Sequence, residues 1–112
     1  MASLTKDNTD GAGDCYDTAA AFVVEASDPN TVLCHGTALG TGGEALGLRY
    51  GHAWVEVEVA GEWLVIDRAN GFDYLGRRDR YYAAGTIREV KRYPKALAMQ
   101  MLLQHRHYGP WR

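Results

Sequence analysis

The sequence has no apolar run near the roughly 20 residues needed to cross a bilayer, so no membrane span is expected. It has only two cysteines, Cys15 and Cys34, too few for a disulfide scaffold. It has no excess of basic charge. Twelve Lys and Arg stand against 14 Asp and Glu, for a net charge of −2, so nothing draws a polyanion by bulk charge and nucleic acid is not an expected partner. Basic residues do gather between Arg68 and Arg112, but Asp73, Asp79 and Glu89 interrupt them. Met1 to Gly13 lacks the basic n-region and apolar h-region of a secretory signal. A reducing cytoplasm is therefore the expected compartment, and a Cys15–Cys34 bridge would need export or oxidation. Cys34, His35, Cys15 and His52 show no Cys-x-x-Cys or His-x-x-x-His spacing, so neither a metal nor a cofactor is expected. Gly40-Thr41-Gly42-Gly43 lacks the Gly-Lys-Ser/Thr that a phosphate loop requires.

What remains is the composition of an ordinary globular domain, 46% apolar and 23% charged over 112 residues. Residues 1–12 read as a loose arm without apolar periodicity, and 13–112 as a single domain. Ala-rich Cys15 to Ala26 predicts a helix capped by Asp14, with Cys15, Ala19, Phe22 and Ala26 turned inward. Asp28-Pro29-Asn30 ends it. Thr31 to His35 predicts a strand, and Gly-rich Gly36 to Gly51 a long loop. Ala53 to Val59 and Glu62 to Ile66 predict a hairpin turning at Ala60-Gly61. Leu75 to Ala84 is ambiguous, with a short helix over Arg78 to Ala84 as one reading. Thr86 to Tyr93 alternates as a further strand, and Pro94 opens a helix reaching about His105, where a histidine suits the helix C-terminus. The fold class is α+β: an N-terminal helix bearing the cysteine on a small antiparallel sheet, then a C-terminal helix.

Three residues carry chemistry. Cys15 opens a helix, whose free amides and partial positive charge favour a thiolate and a developing oxyanion. The plain alternative is a buried cysteine acting as a small hydrophobe. His52 and Asp67 bracket the hairpin. If Val59 faces Glu62, paired positions sum to 121, and His52 and Asp67 are diagonal neighbours on one face; if the sum is 119, they are directly opposite. Either spacing permits a bond that fixes the imidazole tautomer. Gly13, Asp14, Tyr50, Gly51 and Trp54 flank these residues and are the expected substrate-binding positions. Trp54 and Trp63 share the His52 face, where each either walls a cleft or fills the core. Glu56, on the same face, either meets a substrate amine or stands in solvent.

Gly51-His52-Ala53-Trp54-Val55-Glu56, Gly61-Glu62-Trp63 and Val65-Ile66-Asp67 resemble the His and Asp strands of the transglutaminase-like branch of papain-like cysteine enzymes. The order Cys, His, Asp and the helix-start cysteine of Gly13-Asp14-Cys15 match as well, so the resemblance runs from Gly13 to about Gly71. It implies a Cys15-His52-Asp67 triad attacking a carboxamide or similar acyl carbon of a peptide or protein, as protease, peptidase, deamidase or acyltransferase. The chain departs where the family has Pro-Thr after its Asp: here Arg68-Ala69-Asn70-Gly71 follows, which makes Asn70 the alternative orienter of His52. In size the chain resembles small stand-alone members from phages and bacteria. The rival reading is a non-enzymatic binding module on the same fold, aimed at a host protein.

Overall fold

The computed structural model describes residues 15–41, 43, 46–68 and 73–111. In chain order these form α1 (Cys15–Glu25), β1 (Val32–Leu39), β2 (Arg49–Val59), β3 (Glu62–Asp67), β4 (Tyr74–Arg77), α2 (Arg78–Gly85), β5 (Arg88–Pro94) and α3 (Lys95–His105). The strands make one antiparallel sheet in the order β4-β3-β2-β1-β5. The protein is α+β, with the cysteine helix first and a helix last. No helix among the described residues is long and apolar enough to cross a membrane.

The hairpin is built on the first of the two expected registers. Val59 faces Glu62, and the ladder runs to Val55 opposite Ile66. Ala60 and Gly61 both take positive φ, 52° and 80°, as a two-residue turn of this twist demands. Because side chains alternate along a strand, the sheet has two unlike faces. Ala53, Val55 and Leu33 pack with α1, α3, Tyr93 and Trp111. Val32, Cys34, Trp54 and Val65 pack on the other side, under Tyr81 and Tyr82 of α2. Cys15 and Cys34 therefore belong to opposite faces, and both are thiols rather than halves of a disulfide.

α1 buries Cys15, Tyr16, Ala19, Ala20 and Val23, while Phe22 and Ala26 are only partly covered. Cys15 and Ala19 lie inward as expected, and Tyr16, Ala20 and Val23 complete that face in place of Phe22 and Ala26. Asp28 then reverses the chain, accepting from the Asn30 amide at 2.9 Å, with its carbonyl taken by the Thr31 hydroxyl. α3 follows Pro94 and buries only Ala98 and Leu102; Leu97, Met99 and Leu103 are exposed.

Both ends of the loop expected over Gly36 to Gly51 are sheet. β1 continues to Leu39 and β2 starts at Arg49, with Gly36 facing His52 and Thr37 facing Gly51. Backbone pairing needs no side-chain alternation, so glycines conceal it in the sequence. Gly36 is required by packing, since a Cβ there would stand 2.8 Å from Cη2 of Trp54. The indole thus lies across β1.

His35 is buried among Tyr16, Tyr93 and Trp111, with ring centroids 4.8–5.1 Å away. Neither of its ring nitrogens has a hydrogen-bond partner among the described residues. Gly109, with φ of 118°, lets the C-terminal segment close over it, since a Cβ there would come 2.5 Å from His35 Cε1. Burial, then the charges of Lys91 and His107, push its pKa down to about 3. The folded state therefore holds His35 neutral, while the unfolded chain takes up a proton below about 6.5. Stability is highest above that value and falls as pH drops from about 6.5 toward 3. Between pH 7 and pH 5, urea unfolding should lose about 2 kcal/mol, and His35→Phe should flatten this limb. A wild-type midpoint constant across that range contradicts the assignment.

Candidate functional site

β2 places Tyr50, His52 and Trp54 on one face at every second position. The imidazole lies between two rings, edge-on to Tyr50 and near-parallel to Trp54, with both centroids 5.9 Å away. By the same register Trp54 stands opposite Asp67, which makes Asp67 the diagonal neighbour of His52. His52 Nε2 lies 2.8 Å from Asp67 Oδ2. Both side chains are largely buried, 12% and 7% exposed, so the bond is shielded from water.

A third group joins them. The Tyr81 hydroxyl, from α2, donates to the same Asp67 Oδ2 at 2.6 Å and lies 3.0 Å from His52 Nε2. Burial, then the charge of Asp67 and the bond to it, push the Tyr81 phenol above its ordinary range, so it stays protonated. Its proton is committed to Asp67, which leaves its oxygen as an acceptor. Both neighbours of Nε2 thus accept, so Nε2 carries the ring proton and Nδ1 is the bare nitrogen. Sequence reasoning missed Tyr81. The signal was the Tyr81-Tyr82 pair inside the ambiguous segment, two phenols in a stretch otherwise rich in charge.

A cleft of about 390 Å³ opens beside this group. His52, Asp67 and Tyr81 form one wall; Tyr50, Tyr74, Leu39 and Ile87 contribute the rest with the end of α2. Cys15 lies at the first residue of α1 and is 1% exposed. With Ala53, Trp54 and Asp67 it borders a cavity of only about 10 Å³, room for one water. Asp67 borders both spaces. After burial and Asp67, the charge of Cys15 also contributes to raising the Tyr50 phenol. His52 and Asp67 are thus bonded directly, and Cys15 meets the site from the α1 side, beside Asp67. Gly13, Asp14 and Asn70 lie outside the described residues. Gly51 is held in the β1–β2 ladder opposite Thr37. Trp54, expected at the substrate, is instead wholly buried, because Gly36 leaves space for its ring beneath His52.

Glu56 is also a correction. It meets neither solvent nor substrate, being 0% exposed. Its Oε1 accepts from Arg78 and Arg92 at 3.2 Å each, and its Oε2 from Trp54 Nε1 at 3.1 Å and from the Tyr82 hydroxyl. Burial alone would raise its pKa; the bonds from Tyr82 and Trp54 and the charge of Arg92 outweigh this and lower it. Arg78 stacks over Trp63 at 5.0 Å, completing the clamp. This network fastens α2, which buries no residue of its own. The Cys34 thiol lies under the same carboxylate, and burial, then Glu56, push its pKa far up.

Comparison of the chain with family models, with curated proteins and with solved structures finds no significant match.

Glu56→Ala leaves Trp54 Nε1 without an acceptor and removes the partner of both arginines, so urea unfolding should show a loss of about 2–3 kcal/mol. Glu56→Gln, which keeps an acceptor for Trp54, should lose less. Because the Glu56 pKa is lowered, its contribution is present above about 4.5 and fades as pH falls further, so its loss begins at lower pH than that assigned to His35. Equal stability of Glu56→Ala and wild type would show that the network does not hold α2.

Proposed function

We propose that this chain is a thiol-dependent acyl-transfer or amide-hydrolysing enzyme, with Cys15 as nucleophile, His52 as base and Asp67 as the orienting carboxylate. The observation that carries this reading is the shielded bond from His52 Nε2 to Asp67 Oδ2, on the wall of a cleft and next to a helix that begins with Cys15. The resemblance of the His52 and Asp67 strands to transglutaminase-like enzymes points the same way.

The chemistry follows from the assigned tautomer. Nδ1 takes the Cys15 proton, and Sγ bonds to the acyl carbon of an amide. The imidazolium, stabilised by Asp67, returns the proton to the leaving nitrogen as the C–N bond breaks, leaving a thioester on Cys15. Water or a second amine then attacks that carbon and releases the thiolate, giving hydrolysis or transfer. A peptide or protein amide is the proposed substrate. A reducing cytoplasm suits the reaction, since it keeps Cys15 a thiol.

A second reading has its own observation. At 1% exposure Cys15 resembles a packing residue, and the same fold would then serve as a binding module.

Cys15 alkylation by iodoacetamide, followed from about pH 5 to pH 9 in wild type and His52→Ala, separates the two. The enzyme reading predicts rapid modification of Cys15 at pH values where an ordinary thiol is protonated, and loss of that reactivity in the variant. Cys34, buried and with a raised pKa, serves as the unreactive control. A slow Cys15, unchanged by His52→Ala, supports the binding module.

A further inference from the structure

We propose that Tyr81 is a positioning residue of this site, its hydroxyl holding Asp67 on His52 Nε2 so that Nδ1 remains the free base. This rests on the reading of His52 as base. The sequence resemblance ends at about Gly71, so Tyr81 lies outside it.

Three distances carry the inference. Tyr81 to Asp67 is 2.6 Å, Tyr81 to His52 is 3.0 Å, and His52 to Asp67 is 2.8 Å, all through one carboxylate oxygen and one ring nitrogen. Asp67 ends β3, its backbone paired with Tyr74 of β4 where the β2–β3 ladder has already stopped at Val55 opposite Ile66. Backbone pairing does not set its χ angles, so the carboxylate takes its direction from the donors it meets, and His52 alone supplies one. Tyr81 is the second donor. The same hydroxyl offers its lone pair to Nε2–H, so it disfavours the tautomer in which Nε2 is bare.

Packing does not require the hydroxyl. The Tyr81 ring meets Trp54 at 5.7 Å and Tyr74 at 5.3 Å, contacts a phenylalanine would keep. Nor does anchoring of α2 require it. Tyr82 and Arg78 fasten the helix to Glu56, on β2. The two adjacent phenols therefore divide their work: Tyr82 bonds the carboxylate that holds the helix, and Tyr81 bonds the carboxylate that serves the imidazole. Tyr81→Phe removes one hydroxyl and leaves both packing and anchor.

The test reads the imidazole itself. Long-range proton–nitrogen correlation of the 15N-labelled full chain separates a protonated ring nitrogen from a bare one. Wild type should show Nε2 protonated and Nδ1 bare. Tyr81→Phe should show a mixture of tautomers with little change in melting temperature, and its Cys15 alkylation at neutral pH should fall on the order of tenfold, toward that of His52→Ala. Asp67→Asn, whose amide can donate to Nε2, should invert the pattern and calibrates the readout. A folded Tyr81→Phe protein that keeps the wild-type pattern overturns the proposal, whatever its alkylation rate. So does a wild-type spectrum with Nε2 bare, a result that needs no variant and would mean that Tyr81 donates to the ring rather than to Asp67. The two readings fail separately. If His52→Ala leaves Cys15 alkylation unchanged, the enzyme reading falls, while the nitrogen spectrum still decides the role of Tyr81.

Discussion

With Val59 opposite Glu62, every later contact of the site is placed. That register sets Asp67 diagonal to His52, and alternation along β2 puts Trp54 and Glu56 on the same face as the imidazole. A slip of one residue would turn His52 and Glu56 toward α1 and bring Ala53 and Val55 under the tyrosines of α2. Two unlike faces resist such a slip. One is small and apolar, fitted to the close approach of α1. The other carries a buried carboxylate that only the Arg78, Arg92, Tyr82 and Trp54 donors can satisfy. A misregistered Glu56 would be a buried charge without partners, at a cost of several kcal/mol.

The same face shows one device used twice. Glu56 and Asp67 each accept from an aromatic hydroxyl of α2 and from a ring nitrogen of β2. At Glu56 the nitrogen belongs to an indole, which only donates, and two arginines add charge; the result is a structural clamp. At Asp67 the nitrogen belongs to an imidazole, and no arginine bond competes among the described residues; this is the pair for which the base role is proposed. The two carboxylates differ in the chemistry of the ring they meet and, among the described residues, in whether arginines add charge. α2 links the two, so the stability of the helix and the orientation of His52 depend on adjacent residues of one short element.

The helices and the hairpin were legible because each is a local pattern: alanine-rich Cys15 to Ala26, strict alternation from Ala53 to Val59, and proline at the head of α3. The His52–Asp67 pair was legible because both possible registers have odd sums and place the two residues on one face. Other features are hidden by their nature. The pairing of Gly36 with His52 and of Thr37 with Gly51 is made by backbone groups and leaves no side-chain pattern. Glu56 reads as solvent-exposed because its compensating partners lie 22 to 36 residues away. Tyr81 reaches Asp67 from 14 residues on, across a segment whose helix carries no buried residue to announce it. Strand parity brings His52 and Asp67 together, whereas Trp54, two residues from His52 in sequence, lies buried beneath the imidazole.

The central claim is that the His52–Asp67 pair serves the thiol of Cys15. Incubation of the full chain with p-nitrophenyl acetate, followed by acid quench and peptide mass spectrometry, tests it by capturing the acyl group. The expected result is an acetyl group on Cys15 at neutral pH, none on Cys34, and loss of the Cys15 adduct in His52→Ala. Cys15 left unmodified, or acetylated equally with and without His52, would contradict it.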